Sequence, residues 1–351
     1  MNASEETSIS SSMDMESALP GSRSLTVRAR VPASIANLGP GFDVFSIALE
    51  SPRIEVEFTA AGAGTKTIIV EGAHASEINT NPGMNPSGKA LSALFDEFGK
   101  PEGYVLRIRG NIPPSKGLGL SGAEAVGAIV CANRHFHLGL KAQALVNIAA
   151  KAEPSNHMDN VSASALGGFN IVAANSLGEI GAITFPPPKD LGLAVLVPNV
   201  EKTSTEAARQ LVPSQVKTSE HVRSMGHAAR ISAAFAKGDV QAILETLPWD
   251  AIVEPARADG GAYGRGVDSG FLLDEKKTLL EKFHVAETIS GAGPSRALWY
   301  SISEDLKKRR KNKIGIIHPA IALVTYRLRS LGHEVLEVFL TRPSSKGATI
   351  I

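Results

Sequence analysis

The sequence has little cysteine, no long apolar run and no large excess of positive or negative charge. Its one cysteine, Cys131, cannot form an internal disulfide. Glycine, proline or charged residues interrupt every apolar stretch before it reaches the length of a membrane-spanning helix. The 36 basic and 35 acidic residues leave a net charge of +1, which gives no field to attract nucleic acid or an anionic membrane. We therefore expect a cytoplasmic protein with no nucleic-acid or membrane partner.

The sequence also lacks the patterns of a zinc site, because it has no His-Glu-x-x-His motif and no cluster of cysteine and histidine. One basic run, residues 307–313, contains no aromatic residue, so we expect a solvated surface. Hydrophobic residues make up 43% of the chain and charged residues 20%, as in an average globular protein. A length of 351 residues favours two domains.

Three prolines, Pro186–Pro188, mark the best candidate domain boundary. Residues 1–24 are rich in serine, methionine and acids and predict a disordered leader. Residues 25–187 alternate strand patterns with helices of regular apolar spacing, and residues 188–351 mix strands and helices. We therefore predict an N-terminal domain over 25–187, a C-terminal domain over 188–351, and an α+β fold.

A glycine-rich turn, residues 110–122 (GNIPPSKGLGLSG), follows a predicted strand and precedes a predicted helix. Backbone amides at a helix start bind phosphate oxygens, and glycine allows their close approach. The G-x-G-x-x-G spacing also admits a dinucleotide site, although the intervening prolines disfavour it, and no Walker motif occurs. A purely structural alternative is a capping box formed by Ser121 and Glu124.

Three further segments accompany this turn: residues 31–43 (VPASIANLGPGFD), residues 157–161 (HMDNV) and residues 289–295 (ISGAGPS). In this order they resemble the signatures of the GHMP kinase superfamily. Residues 157–161, 254–257 (EPAR) and 341–348 (TRPSSKGA) are similar to its homoserine kinase branch. The resemblance covers about residues 25–351.

The resemblance implies an N-terminal domain like ribosomal protein S5 domain 2, a ferredoxin-like C-terminal domain and an active site between them. It implies ATP and Mg²⁺ as cofactors, and conversion of L-homoserine to O-phospho-L-homoserine on the route to threonine. A homodimer is compatible with it.

The resemblance also implies a role for particular residues. It assigns Asn160, Asp159 and Arg257 to catalysis and Asn37, Asp43, Asn160, Arg209 and Arg257 to homoserine binding. It assigns Mg²⁺ binding to Ser121 and Glu153, and adenine binding to the region of Asn81 and Asn85. It assigns binding of the ATP phosphate groups to eight residues of the glycine-rich turn: Pro114, Lys116, Gly117, Leu118, Gly119, Leu120, Ser121 and Gly122.

The sequence departs from the family pattern at several positions. Where the family loop usually reads Gly-Leu-Gly-Ser-Ser-Ala-Ala, Leu120 removes one hydroxyl and Glu124 adds a carboxylate. Ser46 replaces a glycine, and the spacer after Glu153 is short. These departures leave two alternatives open: a GHMP kinase for another small alcohol, or a ligand sensor of the same fold without catalysis. The kinase hypothesis requires both arginines to face the glycine-rich turn and Glu124 to leave the cavity beneath it open.

Overall fold

The computed structural model describes residues 25–100, 103–201 and 205–351. The predicted leader, residues 1–24, lies outside the described residues. Within the described part, no helix has the length and apolar character needed to cross a membrane.

The described strands form two sheets in which most neighbours run antiparallel. In chain order the strands are β1 (Val27–Ala36), β2 (Phe45–Ala60), β3 (Lys66–Glu71), β4 (Tyr104–Gly110), β5 (Phe169–Ala174), β6 (Ile180–Phe185), β7 (Leu191–Pro198), β8 (Ala286–Ile289), β9 (Arg296–Ser301), β10 (Val335–Thr341) and β11 (Thr349–Ile350).

The helices pack against these sheets. In chain order they are α1 (Pro86–Phe98), α2 (Leu120–His135), α3 (Ala142–Ala150), α4 (Asp159–Leu166), α5 (Thr205–Gln210), α6 (Thr218–Lys237), α7 (Val240–Thr246), α8 (Val253–Asp259), α9 (Ser269–Phe283), α10 (Ile302–Asn312) and α11 (Ile317–Ser330). The basic run of residues 307–313 forms the end of α10 and the residue after it.

The first sheet has the order β11-β1-β2-β4-β3, and β5 joins β2 to β6. The alternation that predicted a strand at its start is real, since Val27, Ala29 and Val31 are buried while Arg28 is exposed. Helix α2 lies close against β1 and β2. A Cβ atom at Gly127 would stand 2.4 Å from Val56 Cγ2, so glycine is what permits this approach.

The second sheet has the order β10-β7-β9-β8. Strand β7 is buried on both faces: Leu193 and Val195 join the core of the first sheet, whereas Ala194 and Leu196 join a separate core beneath α9 and α11. This double burial explains why β7 reads as an unbroken apolar run. Helix α6 completes the junction, because Phe235 stacks on Phe169 of β5 with ring centroids 3.9 Å apart.

Two details differ from the sequence-based expectations. The apolar spacing of residues 140–153 predicts a helix that ends at Glu153, but α3 ends at Ala150 and Glu153 lies in the following turn. The last strand, β11, pairs with β1 of the first sheet, although it belongs to the segment assigned to the C-terminal domain. The proposed boundary at 187/188 falls between β6 and β7 and stays a prediction.

Candidate active site

A cleft between the two sheets encloses about 290 Å³, near the lower end of the range for small-molecule sites. Its walls come from the glycine-rich turn, residues 37–43, the turn and helix around residues 153–160, and the glycine-rich link at residues 291–292. Arg209 of α5 and Arg257 of α8 also line it. The motifs are far apart in sequence, and folding brings all of them to one cavity.

The glycine-rich turn connects β4 to α2. Two of its glycines have a left-handed backbone conformation, with φ of +78° at Gly117 and +66° at Gly119. A Cβ atom on Gly117 would stand 2.0 Å from the carbonyl oxygen of Ser290. The Ser290 hydroxyl in turn donates to the Gly117 carbonyl at 2.7 Å. Glycine is therefore required for the turn to pack on residues 290–295, and the start of α2 faces the cleft beside that contact.

The capping-box alternative is wrong. The residue preceding α2 is Gly119, and no side chain caps the helix. Ser121 is the second residue of the helix and lines the cleft. The first backbone N–H groups of a helix have no carbonyl acceptor within the helix, and the Ser121 hydroxyl lies beside them. Such an arrangement is typical of an anion-binding site.

Most residues assigned to phosphate binding line the cleft, namely Pro114, Gly117, Leu118, Gly119, Leu120 and Ser121. Lys116 and Gly122 do not. The Lys116 ammonium donates to the carbonyl oxygens of Pro198 and Val200, at 3.2 and 2.9 Å, and so links the turn to the second sheet. Gly122 packs against the backbone at the start of α4.

Asp43 and Arg209 form an ion pair inside the cleft. The Arg209 Nη2 atom lies 2.8 and 2.7 Å from the two carboxylate oxygens of Asp43. His157 Nε2 lies 2.8 Å from the same nitrogen. The Asn37 side chain accepts a hydrogen bond from the Asp43 amide at 3.0 Å, which fixes the loop that carries the carboxylate. The sequence had not assigned a role to His157.

Arg257 lines the same cleft with only 3% of its surface exposed. Its Nε donates to the Ala208 carbonyl oxygen at 3.1 Å, and its guanidinium carbon lies 4.9 Å from the centre of the Phe42 ring. Arg209 contacts the same ring at 5.2 Å. Among the described residues, no carboxylate lies within 4.0 Å of the Arg257 guanidinium. A buried cation without an anion is costly, so the site favours an anionic ligand.

Helix α4 places Asp159 and Asn160 on the cleft wall. The Asn160 side-chain oxygen accepts from the Ser34 hydroxyl at 2.8 Å, and the Asp159 carboxylate accepts from the Asn160 amide at 2.7 Å. Burial raises the pKa of Asp159, and the nearby Asp43 carboxylate raises it further. The unexpected Ser46 has a structural role, because its hydroxyl donates to the Asp159 carbonyl at 2.6 Å.

Glu124 and Glu153 also line the cleft. Glu124 is 2% exposed, and burial raises its pKa to about 8, with Glu153 adding to the shift. Glu124 forms part of the wall and the cleft stays open beside it. Of the residues assigned to adenine, Asn85 lines the cleft but serves as the cap of α1, accepting from the Ser87 amide at 2.8 Å. Asn81 lies outside, in an exposed turn.

Comparisons with known proteins identify relatives of this chain. The family model for the GHMP kinases N terminal domain matches residues 85–168. A homoserine kinase from Methanococcus maripaludis is 32% identical, covering 77% of this chain and 86% of its own length. One from Thermoplasma volcanium is also 32% identical, over 88% and 95%.

Solved structures show the same fold. The crystal structure of homoserine kinase from Cytophaga hutchinsonii superposes with a TM-score of 0.76 at 23% identity, covering 95% of this chain and 99% of its own. The mevalonate diphosphate decarboxylase of Staphylococcus aureus superposes with a TM-score of 0.66 at 14% identity, covering 93% and 98%. The predicted α+β GHMP kinase fold is thereby confirmed. On its identity to these relatives over most of their length, the chain belongs to the homoserine kinase family of GHMP kinases.

Proposed function

We propose that the chain transfers the γ-phosphate of ATP to the hydroxyl group of L-homoserine, giving O-phospho-L-homoserine and ADP. The observation that carries the proposal is Arg257, a buried guanidinium without a carboxylate partner among the described residues, in the same cleft as the start of α2. An amino-acid carboxylate would supply the missing anion, and the helix start would take the polyphosphate.

The acceptor is a zwitterion, so its site needs charges of both signs. Arg257 and Arg209 offer guanidinium groups to the carboxylate, and Asp43 offers a carboxylate to the ammonium. In the chain by itself, Asp43 and Arg209 neutralise each other at 2.7 Å. A bound zwitterion can replace that contact with one ion pair to each residue, so neither charge is left without a partner in the cleft.

For the hydroxyl end we propose Asn160 and Asp159, which hydrogen bonds hold in place on the cleft wall. The contact with Ser34 occupies the Asn160 oxygen, and one N–H of the Asn160 amide points to Asp159 Oδ1 at 3.5 Å, so the second N–H can orient the acceptor hydroxyl. Phosphoryl transfer through a loose transition state depends on position and charge neutralisation more than on a strong base. We therefore assign Asp159 and Asn160 to orienting the hydroxyl, with Asn37 holding the Asp43 loop.

The residues of the cleft suit Mg²⁺. The described residues contain no cluster of three or more histidine, cysteine or acidic side chains that could hold a metal by themselves. Mg²⁺ usually needs only one or two carboxylates together with substrate phosphates. Ser121 and Glu153, which both line the cleft, would hold it there. A cation held there would supply positive charge to neutralise the phosphate oxygens.

Steady-state release of ADP tests the proposal, with Mg-ATP and a panel of alcohols that includes L-homoserine and mevalonate. We expect turnover with L-homoserine and with no other alcohol of the panel. Mass spectrometry should identify the product as O-phospho-L-homoserine. Turnover with a different alcohol would support another GHMP kinase activity. Tight binding of ATP and homoserine without ADP release would instead identify a sensor and overturn the proposal.

A further inference from the structure

Glu124 is a buried carboxylic acid for which the proposed reaction has so far given no role. It lies on the cleft wall, four residues after Leu120 and three after Ser121, so all three share one face of α2. Its Oε1 atom is shielded from water and has no hydrogen-bond partner among the described residues. A buried carboxyl oxygen without a donor costs free energy unless something else binds it.

A second acid faces the same space. Glu153, in the turn after α3, lines the cleft and adds to the electrostatic cost of charging Glu124. Two carboxylates that share a low-dielectric cavity repel each other. The Asn85 side chain hydrogen-bonds to Glu124 and opposes the rise in its pKa, but the Oε1 atom has no partner among the described residues. A divalent cation between the two acids would turn their repulsion into attraction and would also bind Oε1.

The two departures of the glycine-rich turn from the family pattern now have one explanation. Leu120 removes a hydroxyl from the first residue of α2, and Glu124 adds a carboxylate one helical turn later on the same face. Both positions line the cleft. The lost oxygen donor and the gained one therefore face the same cavity.

We propose that Glu124 binds, with Ser121 and Glu153, the divalent cation that accompanies the nucleotide. The inference rests on the proposed function for the presence of a nucleotide, and it goes further by assigning a carboxylate that the family pattern does not contain. Carboxylate and hydroxyl oxygens are the hard donors that Mg²⁺ and Mn²⁺ prefer. Glu124 thereby acts on the nucleotide through its cation.

Binding of Mn²⁺ to the full chain, measured by electron paramagnetic resonance in the presence of ADP and without an acceptor, tests this assignment. We expect Glu124→Gln to weaken Mn²⁺ binding about tenfold or more, on the scale that the loss of a group supporting a bound metal produces. Glu281→Gln is the matched control, because Glu281 is exposed on α9 and does not line the cleft. The control should bind Mn²⁺ as the unmodified chain does.

Two further variants sharpen the result. Leu120→Ser combined with Glu124→Gln restores a hydroxyl on the same helix face and should recover part of the lost affinity. Glu124→Asp keeps the charge but withdraws the carboxylate by one methylene, and it should also weaken Mn²⁺ binding. It provides the test if the glutamine variant fails to fold, as judged by circular dichroism.

Unchanged Mn²⁺ affinity in Glu124→Gln, or in Glu124→Asp, would overturn the assignment. So would tighter ADP binding without loss of Mn²⁺ affinity, because that result would make Glu124 only a repulsive charge. The outcome is separable from the proposed function, since no acceptor is present. A chain that binds Mn²⁺ through Glu124 but never phosphorylates homoserine would keep this inference and overturn the proposed function.

Discussion

Arg257 and Arg209 line one cleft but differ in what they contact. Arg209 is half-buried and pairs with Asp43, whereas Arg257 is buried and stacks on Phe42 with no carboxylate within 4.0 Å in the described part of the chain. If the proposed function holds, we expect Arg257 to contribute more than Arg209 to binding of the substrate carboxylate. Its planar group can meet both carboxylate oxygens, which an ammonium group cannot do.

Replacement of Arg257 with lysine should therefore raise the KM for homoserine about 10–100-fold, because one charge-assisted hydrogen bond contributes about 1.5–3 kcal/mol. The KM for ATP should change by no more than about twofold. Initial-rate kinetics with each substrate varied separately would measure both. Arg223→Lys, an exposed change on α6, serves as the control. Equal loss of affinity for both substrates would contradict a specific role in acceptor binding.

Asp43 allows a test with two acceptors. Asp43→Asn removes the counter-charge of the substrate ammonium, so kcat/KM for homoserine should fall about 10–100-fold. 4-Hydroxybutanoate has the same carboxylate and hydroxyl but no amine to pair with Asp43, so its kcat/KM should be no lower in the variant than in the unmodified chain. A parallel fall with both acceptors would show that Asp43 acts on Arg209 or on the loop instead.

For single residues, the sequence predicted which side chains would line the cleft better than it predicted which atoms they would contact. Asp43, Asn160, Arg209 and Arg257 do line one cleft, as the resemblance of their motifs to the family implies. Lys116 could not have been placed from the sequence, since its partners are main-chain carbonyls more than eighty residues away. Those carbonyls carry no side-chain signal.

At the scale of elements, a group of buried charges joins β8, β9 and α9 beneath the second sheet. Glu287, Glu275 and Arg296 have no exposed side-chain surface. The Arg296 guanidinium lies 3.1 Å from Glu287 and 3.6 Å from Glu275, and Arg327 of α11 lies 3.3 Å from Glu275. Burial raises the pKa of Glu287 to about 8, and the Glu275 carboxylate raises it further while Arg296 and Lys276 oppose the shift.

This cluster predicts a particular dependence of stability on pH. The folded chain holds a proton on Glu287 that the unfolded chain releases near its ordinary pKa of 4.5. The stabilisation is therefore complete below about pH 4.5 and is lost as the pH rises through about 8, by up to a few kcal/mol, since one pKa unit is about 1.4 kcal/mol. Urea unfolding of Glu287→Gln should show a flatter profile over this range, because the amide does not titrate.

The exposed change Glu304→Gln in α10 should leave the profile as it is in the unmodified chain. Parallel profiles for Glu287→Gln and the unmodified chain would contradict the raised pKa. Several helices were predictable, since the apolar spacing indicates helices over residues 87–98, 121–134, 219–237 and 321–331, which correspond to α1, α2, α6 and α11, although α11 begins four residues earlier. The buried charges were not, because a sequence does not tell a buried glutamate from a solvated one until the sheet has been placed beneath it.

At the scale of the whole molecule, the predicted boundary at residues 187/188 separates most strands of the two sheets, but it does not separate their apolar cores. Strand β7 belongs to the second sheet, yet Leu193 and Val195 pack into the core of the first. Phe235 of α6 stacks on Phe169 of β5, and β11 returns to pair with β1. The proline run that suggested a boundary marks a change of sheet, and it could not reveal that both faces of β7 would be buried.

This shared core predicts that the chain unfolds in a single cooperative transition. Both tryptophans, Trp249 and Trp299, follow residue 187, so their fluorescence reports the second half. Far-UV circular dichroism reports all of the helices and sheets. The two signals should give the same urea midpoint, because separating the halves would expose the apolar face of β7 together with Phe169 and Phe235.

Phe235→Ala makes the comparison decisive. It should lower the free energy of unfolding by about 3–5 kcal/mol, the usual cost of removing a buried phenylalanine. Because the stacked pair joins the two halves, the midpoints of fluorescence and circular dichroism should fall together. Midpoints that separate in the variant, or two peaks by calorimetry in the unmodified chain, would show instead that the halves fold independently. The substrate cleft would then lie between bodies free to move relative to each other, and its geometry would depend on bound ligands more than on the shared core.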